Sequence, residues 1–485
     1  MLRALFATAL FSVSVRGNVQ HAAPTPTAVC GQIAKAISSA SAVFYPGSAN
    51  YTSDNEHWME SSTQQSTCSV EPGTSQDVGT ILKLIGSANV PFAVKGGGHA
   101  TNQGYSSTSG VQIAMSRFNQ VVYHASTSSV DVGAGLIWDD VYAALEQYGV
   151  NVVGGRASGI GVAGFSLGGG YSWLTNQYGL TIDTILAFEL VLPNGTVLTV
   201  NSSKNPDLFF ALKGGYNNFG IVTKFTFKTF PQSQVWGGIL VYGGDQLTAV
   251  NNATAKFADQ VKDPKAQIIT TYNYIGGAPD VTQLLFYDGP TPPAGIFDDF
   301  LAIPSFLSDI STRSFLSLVQ ASPSSAPYGN RAVFNTVSLL KITPQILDSI
   351  VNETVSWGAK LTTATSGIVS YDVEPFLSTL FSKGSNSAYP PDRSRALLPL
   401  NVYFAWADAT QDNVMRAAAV QSAQQLTTEA VSQGQNIANL GLYGNYAIAG
   451  TQTSRIFGNN LSALNKIKNQ YDPNNLMGWT GGWRL

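Results

Sequence analysis

The residues best able to do chemistry sit close together between Pro91 and Gly104, in the stretch PFAVKGGGHATNQG. A short apolar run leads into Lys95, then Gly96, Gly97 and Gly98, then His99. Consecutive glycines let neighbouring backbone N–H groups point into one concavity, which suits a phosphate or pyrophosphate. His99 follows at once, placing an imidazole where such a ligand would lie. A second constellation spans Gly154 to Gly170, where eight of seventeen residues are glycine. That density demands unusual backbone angles or close backbone approach. Gly159-x-Gly161-x-x-Gly164 fits the dinucleotide fingerprint, with Asp183 about twenty residues on. However, Arg156-Ala157-Ser158 precedes it instead of a strand, and a triple glycine follows, so a βαβ unit is not expected. Gly164-Phe165-Ser166-Leu167-Gly168 fits a nucleophile elbow, but the triad needs a later histidine. The last of the four histidines, His124, lies upstream, which excludes that hydrolase order. His124 itself reads as incidental. His57 and Trp58, in NEHWME, have no partner motif and read as structural.

Several elements must position these residues. Residues 28–45 have helical spacing, as do 75–85, with Asp77 near the start and Gly86 at the end. The apolar residues before Lys95 read as a buried strand, with further strands over 110–115 and 130–135 and a helix over 137–148 stopped by Gly149. Asn194-Gly195 between two β-rich runs, 182–192 and 196–200, signals a hairpin. Residues 207–212 read as one helical turn, and Lys213-Gly214-Gly215 leads into Asn217–Thr223. From about residue 235 to 430 the glycine clusters disappear. Aromatic-rich strands (236–241, 268–274, 283–287, 398–406) then alternate with helices (249–261, 346–356, 412–431), which fits an antiparallel sheet with helices on one face. Pro- and Ser-rich stretches at 321–328 and 383–393 read as loops, and no internal repeat is visible.

KGGGH followed by NQGYS resembles the flavin loop of the vanillyl-alcohol oxidase / p-cresol methylhydroxylase superfamily, closest to its fungal berberine bridge enzyme-like branch. The resemblance runs from about Cys68 to Phe230 and resumes at the C-terminus. It implies an α+β fold: a two-subdomain FAD-binding domain of the p-cresol methylhydroxylase type over 24–232, an inserted substrate domain over 233–435, and a segment over 436–485 returning to the FAD domain. It implies FAD bonded through its 8α-methyl to His99. The flavin loop would contribute Lys95, Gly96, Gly97, Gly98, His99, Asn102 and Ser106. The second glycine segment, through Gly155, Ser158, Gly161, Gly164, Gly169 and Gly170, would wrap the pyrophosphate and isoalloxazine. The segment around Gly220, Ile221 and Val222 would close over the adenine-ribose half. LYGNY, ending in Tyr446, resembles a segment near the flavin ring, and YDPNN, with Asn475, resembles the closing motif. Some relatives carry a second covalent link from a cysteine whose position here is Ala157, so the attachment is expected to be single. Three residues on, Ile160 stands where the family controls oxygen access, and its bulk would narrow that path.

The chemistry so implied is hydride transfer from a carbon bearing OH or NH to flavin N5, with a base taking the accompanying proton. No lone carboxylate stands out as that base. The resemblance points first to Tyr446, a phenol that would need a neighbouring cation or hydrogen bonds to act. Tyr403, in NVYFAW, comes second. Lys95 and Arg156 could donate to the phosphates or to the reduced flavin.

Length and composition agree. The chain has 485 residues, 44% hydrophobic and 11% charged, with a net charge of −3, which gives a nucleic-acid partner no footing. Residues 1–23 (one arginine, an apolar stretch, then small residues) read as a signal peptide, and no later run is long and apolar enough to span a membrane. Two cysteines, Cys30 and Cys68, fit one disulfide in a secreted chain, with two buried thiols the alternative. Asn50, Asn194, Asn201, Asn252, Asn352 and Asn460 head N-x-S/T sequons. The expected protein is a secreted FAD-linked oxidoreductase acting on a small organic molecule, with O2 or another acceptor and with no metal. A flavin-bearing cyclase or tailoring enzyme and a dehydrogenase with a different acceptor are the alternatives.

Overall fold

The computed structural model describes residues 25–322, 330–365 and 367–485. The signal-peptide reading lies outside the described residues, as does most of the loop expected at 321–328. The first half of the chain builds two sheets. One has four strands in the order Ala42–Phe44, Cys68–Glu71, Val111–Ala114, Phe92–Lys95. Val111–Ala114 pairs in parallel with both of its neighbours, and the helix Ser75–Ala88 makes the crossover between Cys68–Glu71 and Phe92–Lys95. The strand Phe92–Lys95 delivers the chain into the triple glycine, so the loop springs from a buried sheet edge. The second sheet is antiparallel, in the order Val121–His124, Ser129–Gly133, Ile221–Lys228, Ile185–Val191, Val197–Asn201. Its last pair is the hairpin turned by Asn194-Gly195.

A seven-stranded antiparallel sheet follows: Leu307–Arg313, Val235–Gly243, Ala278–Tyr287, Ala266–Ile275, Ile368–Val373, Leu398–Trp406, Arg331–Leu339. The helices Leu247–Gln260, Pro344–Thr365 and Asp412–Ser432 pack on it. Alternation sorts its side chains. Tyr272, Tyr371 and Val402 are aligned across three strands and fully buried. Their sequence neighbours Thr271, Asp372 and Asn401 lie on the opposite face. The fold is thus the mixed helix and sheet expected, with an antiparallel sheet beside the glycine-rich half.

Cys30 and Cys68 are disulfide-bonded, tying the helix Pro26–Ala36 to the strand Cys68–Glu71 across 38 residues of chain. Closing such a loop contributes about 4 kcal/mol in the chain-entropy account. Three local expectations are corrected. The helix expected over 28–45 stops at Ala36, because Ala42–Phe44 pairs as an edge strand with Ser69–Glu71. The helix expected to end at Gly86 runs on to Ala88, where Asn89 takes the left-handed conformation (φ 53°) and its N–H bonds to the Ile85 carbonyl. The strands Leu307–Arg313, Arg331–Leu339 and Ile368–Val373 went unmarked, and they complete the large sheet. Among the sequons, Asn50, Asn194, Asn252 and Asn352 are exposed. The Asn460 amide nitrogen is instead bonded to the carbonyls of Ser387 and Ala388. Among the described residues no helix is long and apolar enough to cross a membrane, and no group of His, Cys, Asp and Glu could hold a metal ion.

Candidate active site

The two glycine segments meet. A Cβ on Gly97 would lie 2.5 Å from the Gly161 Cα, and one on Gly161 would lie 2.6 Å from the Gly97 N. Only glycine at both positions permits that approach. A bridge between Ile137 and Gly161 and the bond from Val162 N–H to the Leu136 carbonyl fix the second segment beside the first. The C-terminal segment closes over both. Asn102 holds it with its whole side-chain amide, Nδ2 donating to the Ala447 carbonyl (2.9 Å) and Oδ1 accepting from the Ala449 N–H (2.8 Å). The Gly170 N–H donates to the Tyr443 hydroxyl. His99, through Trp58, and Tyr446 are thereby gathered against the face of the large sheet that carries Phe334 and Tyr403.

A buried ion pair forms the centre of this region. Arg156 Nη2 lies 2.6 Å from Glu374 Oε2, with the side chains 8% and 2% exposed. The Tyr446 hydroxyl donates to Glu374 Oε1 at 2.9 Å and accepts from Arg156 Nη2 at 3.1 Å. Burial raises the Glu374 carboxyl above its ordinary 4.5, against the pull of Arg156. Burial, and then the Glu374 charge, push the Tyr446 phenol well above 10, so it is neutral at physiological pH. Burial works against the Arg156 charge, but Glu374 overrides it and the guanidinium stays protonated. Asp372, two residues before Glu374, is buried and raised as well, held by Thr271 and Asn401. Aromatic rings enclose the cluster. Phe334 meets Tyr446 edge-on at 6.0 Å and Tyr403 at 5.2 Å, and Trp58 lies over Tyr403 at 6.0 Å.

His99 stacks on Trp58, with centroids 3.9 Å apart and planes 13° apart. Burial lowers its pKa to about 4, so the ring is a neutral nucleophile. Among the described residues His99 Nε2 is buried without a hydrogen-bond partner, and so are Arg156 Nη1, Ser166 Oγ, Trp138 Nε1 and Tyr403 OH. Apart from the imidazole, these unanswered groups are donors. Together with a cradle that any Cβ would fill, they fit a cofactor rich in acceptor oxygens and nitrogens, as FAD is.

Other expected residues have different engagements. The Lys95 ammonium donates to the Ser53 carbonyl at 2.7 Å, near Asp54 and Glu56. Ser158 Oγ donates to Asp139 at 2.6 Å. Ser106 pairs with His57 Nε2 at 2.9 Å, and Tyr142 donates to the Gly155 carbonyl. Gly164 lies inside the short helix Val162–Leu167, while Gly169 faces the Tyr389 and Tyr443 rings. Gly96 lies near the Ala134 carbonyl, Gly98 turns with φ 70°, and Gly220, Ile221 and Val222 begin a strand against Val191 and Leu190. Asn475 forms a left-handed turn below Asp472, and the following Leu476 packs on Gly86. Sequence reasoning missed Glu374 and Trp58. YDVEP carried a signal, since Asp372 and Glu374 alternate onto one face at the end of a strand that was not recognised. Trp58 had none.

Comparison with known proteins gives the family and the fold. Residues 66–201 match the family described as FAD binding domain, and residues 442–481 match the one described as Berberine and berberine like. An uncharacterized FAD-linked oxidoreductase of Arthroderma benhamiae is 33% identical over 389 residues, 77% of each chain. FAD-dependent monooxygenase prx3 of Penicillium roqueforti is 30% identical over 91% of this chain and 90% of its own. Among solved structures, glucooligosaccharide oxidase from Acremonium strictum, described with a 6-S-cysteinyl, 8α-N1-histidyl FAD, superposes with a TM-score of 0.76 at 18% identity, covering 94% of this chain and 98% of that one.

Proposed function

The chain belongs to the berberine bridge enzyme-like FAD-linked oxidoreductases of the vanillyl-alcohol oxidase / p-cresol methylhydroxylase superfamily, and on that premise we propose that it holds FAD through one covalent bond at His99 and oxidises a C–OH or C–NH carbon of a small ring-containing molecule, outside the cell, with O2 as the final acceptor. The observation that carries the reading is the hydrogen-bonded set Arg156–Glu374–Tyr446 beside the His99 loop.

Bound FAD supplies the two-electron acceptor for the substrate hydride. The glycine segments would hold its phosphates, and the neutral His99 imidazole would offer the attachment. Ala157 stands where a cysteinyl link would require a thiol, which supports a single bond. Tyr446 faces a proton problem. Its own phenolate is inaccessible, so it can take the substrate's proton only as it passes its hydroxyl proton to Glu374, 2.9 Å away. The raised Glu374 carboxylate is the better acceptor for being buried, and Arg156 keeps the pair from carrying a lone buried charge. Trp58, Phe334, Tyr403 and Tyr446 offer flat apolar faces, which suit a ring, and the unpaired Tyr403 hydroxyl offers one donor. A sugar ring, as the Acremonium strictum enzyme's name indicates for that protein, and a fungal metabolite both meet this description.

Acid precipitation followed by a visible spectrum tests the reading. Flavin is expected in the pellet for the native chain and in the supernatant for His99→Ala. Free flavin from the native chain would overturn the covalent assignment. Turnover with peroxide released one-for-one with product would support an oxidase. Peroxide well below product would favour the monooxygenase reaction that the Penicillium roqueforti relative's name denotes. One observation favours a dehydrogenase: Ile160 packs near Gly155 at the position expected to meet oxygen. Reoxidation of the reduced protein in air over many minutes instead of seconds would support it.

A further inference from the structure

The segment carrying Trp58 is a bridge. The Trp58 N–H donates to the Gly98 carbonyl at 3.0 Å, inside the flavin loop. One residue before it, His57 bonds Ser106 of the same loop at 2.9 Å and the Asn55 carbonyl at 2.8 Å. Burial, then Lys95, lowers the His57 pKa to about 4, so this clamp is uncharged and insensitive to physiological pH. Beyond Trp58 the chain attaches to the substrate sheet. The Glu60 N–H donates to the Asn330 carbonyl at 2.9 Å, and Ser61 Oγ both accepts from the Ala332 N–H at 3.0 Å and donates to its carbonyl at 3.2 Å. Met59 packs with Ala332 and Ala405 in a small core of its own, which Trp58 and Tyr403 cover. The indole is therefore gripped from both halves of the molecule. One face lies flat on the His99 imidazole, and another contact joins it to Tyr403.

The His99 ring has one hydrogen bond, to its own backbone, while its Nε2 is buried with no partner among the described residues. In metal and catalytic sites a histidine's orientation is commonly set by the hydrogen bond its second nitrogen makes. Here the local backbone bond is joined by a flat aromatic contact, which adds a constraint on the ring plane from outside the loop. A stack constrains the ring plane without adding a charge or a donor, so the lone pair stays free for bonding.

We infer that Trp58 is the positioning residue for His99: it holds the imidazole plane in the orientation required for flavin attachment, and through the stack it links that attachment to the substrate wall at Tyr403. This rests on the proposed attachment at His99 and adds what controls it.

The experiment compares the native chain with Trp58→Phe and Trp58→Leu, each produced as the full protein. Three quantities are read: covalent flavin per folded protein, the rate at which under-flavinylated protein gains covalent flavin when FAD is added, and the potential of the attached flavin. An aromatic contact of this size corresponds to roughly two- to tenfold in rate, so Trp58→Leu should gain covalent flavin that much more slowly, with Trp58→Phe between it and the native chain. The attached flavin in Trp58→Leu should also have a shifted potential, which a purely structural role would not produce. Native attachment rate and native potential in Trp58→Leu would overturn the inference. If Trp58→Leu does not fold, Trp58→Phe decides alone: slowed attachment supports the role and an unchanged rate overturns it. Failure of the His99 reading is seen separately, as acid-released flavin from the native chain.

Discussion

The two walls of this site are built from different materials. The proposed cofactor wall is made of backbone: glycines at 96–98, 161 and 168–170, with Gly97 and Gly161 so close that neither has room for a Cβ. The proposed substrate wall is made of side chains collected from distant positions, with Phe334, Asp372 and Tyr403 brought to one face of an antiparallel sheet by register and Glu374 just past the end of its strand. A backbone wall tolerates almost no substitution at its glycines but asks little of their neighbours. A side-chain wall keeps its shape when one group changes and loses only that group's chemistry. Binding FAD and turning over substrate should therefore fail separately.

The sharpest test of that separation is Glu374→Gln. It keeps the shape and removes the proton acceptor, so turnover should fall about a thousandfold while flavin content stays native. Paired loss of flavin, measured by absorbance, would mean that the two walls are not independent. The same carboxylate sets a pH limb. Because burial raises its pKa above 4.5, turnover should be present above that raised value and lost as pH falls through it, and Glu374→Gln should abolish the limb in a pH–rate profile.

Arg156 belongs to both walls, coming from the glycine segment and bonding Glu374. Arg156→Leu leaves a buried carboxylate unpaired and should cost about 3–5 kcal/mol of stability in denaturant unfolding. The double variant Arg156→Leu/Glu374→Leu should recover much of this. Gly97→Val places a side chain into the Gly161 backbone. It should lower stability by about 1–3 kcal/mol and empty the site of flavin, measured by absorbance against protein. Retained flavin there would break the backbone-wall picture. The smallest effect is expected at Tyr403→Phe, whose hydroxyl has no partner among the described residues. Turnover should change less than about tenfold, with any loss appearing in KM.

Legibility in the sequence follows the same division. The glycine segments, His99 and the Asn194-Gly195 hairpin were readable because backbone constraints fall on consecutive residues. Glu374 was not, since its strand Ile368–Val373 went unmarked and a carboxylate looks alike in a loop or in a buried pair. Tyr446 was identified by resemblance, but its partners were not, as 156, 374 and 446 are far apart in the chain. Trp58 read as structural because a tryptophan's stacking partner has no local signature. Gly86 misled, because its lack of a side chain accommodates Leu476 instead of ending a helix.

The cofactor class came from a family resemblance; by itself the sequence determined the glycine clusters on either side of His99, the absence of a cysteine at Ala157 and the pairing available to Cys30 and Cys68. Each depends on residue type at a fixed spacing. Only the tertiary structure decided which carboxylate meets Tyr446, that Arg156 turns toward Glu374, that Lys95 turns to Ser53, and that Trp58 lies on His99. Those contacts depend on strand register and on which groups burial leaves unpaired, and both are properties of the packed chain.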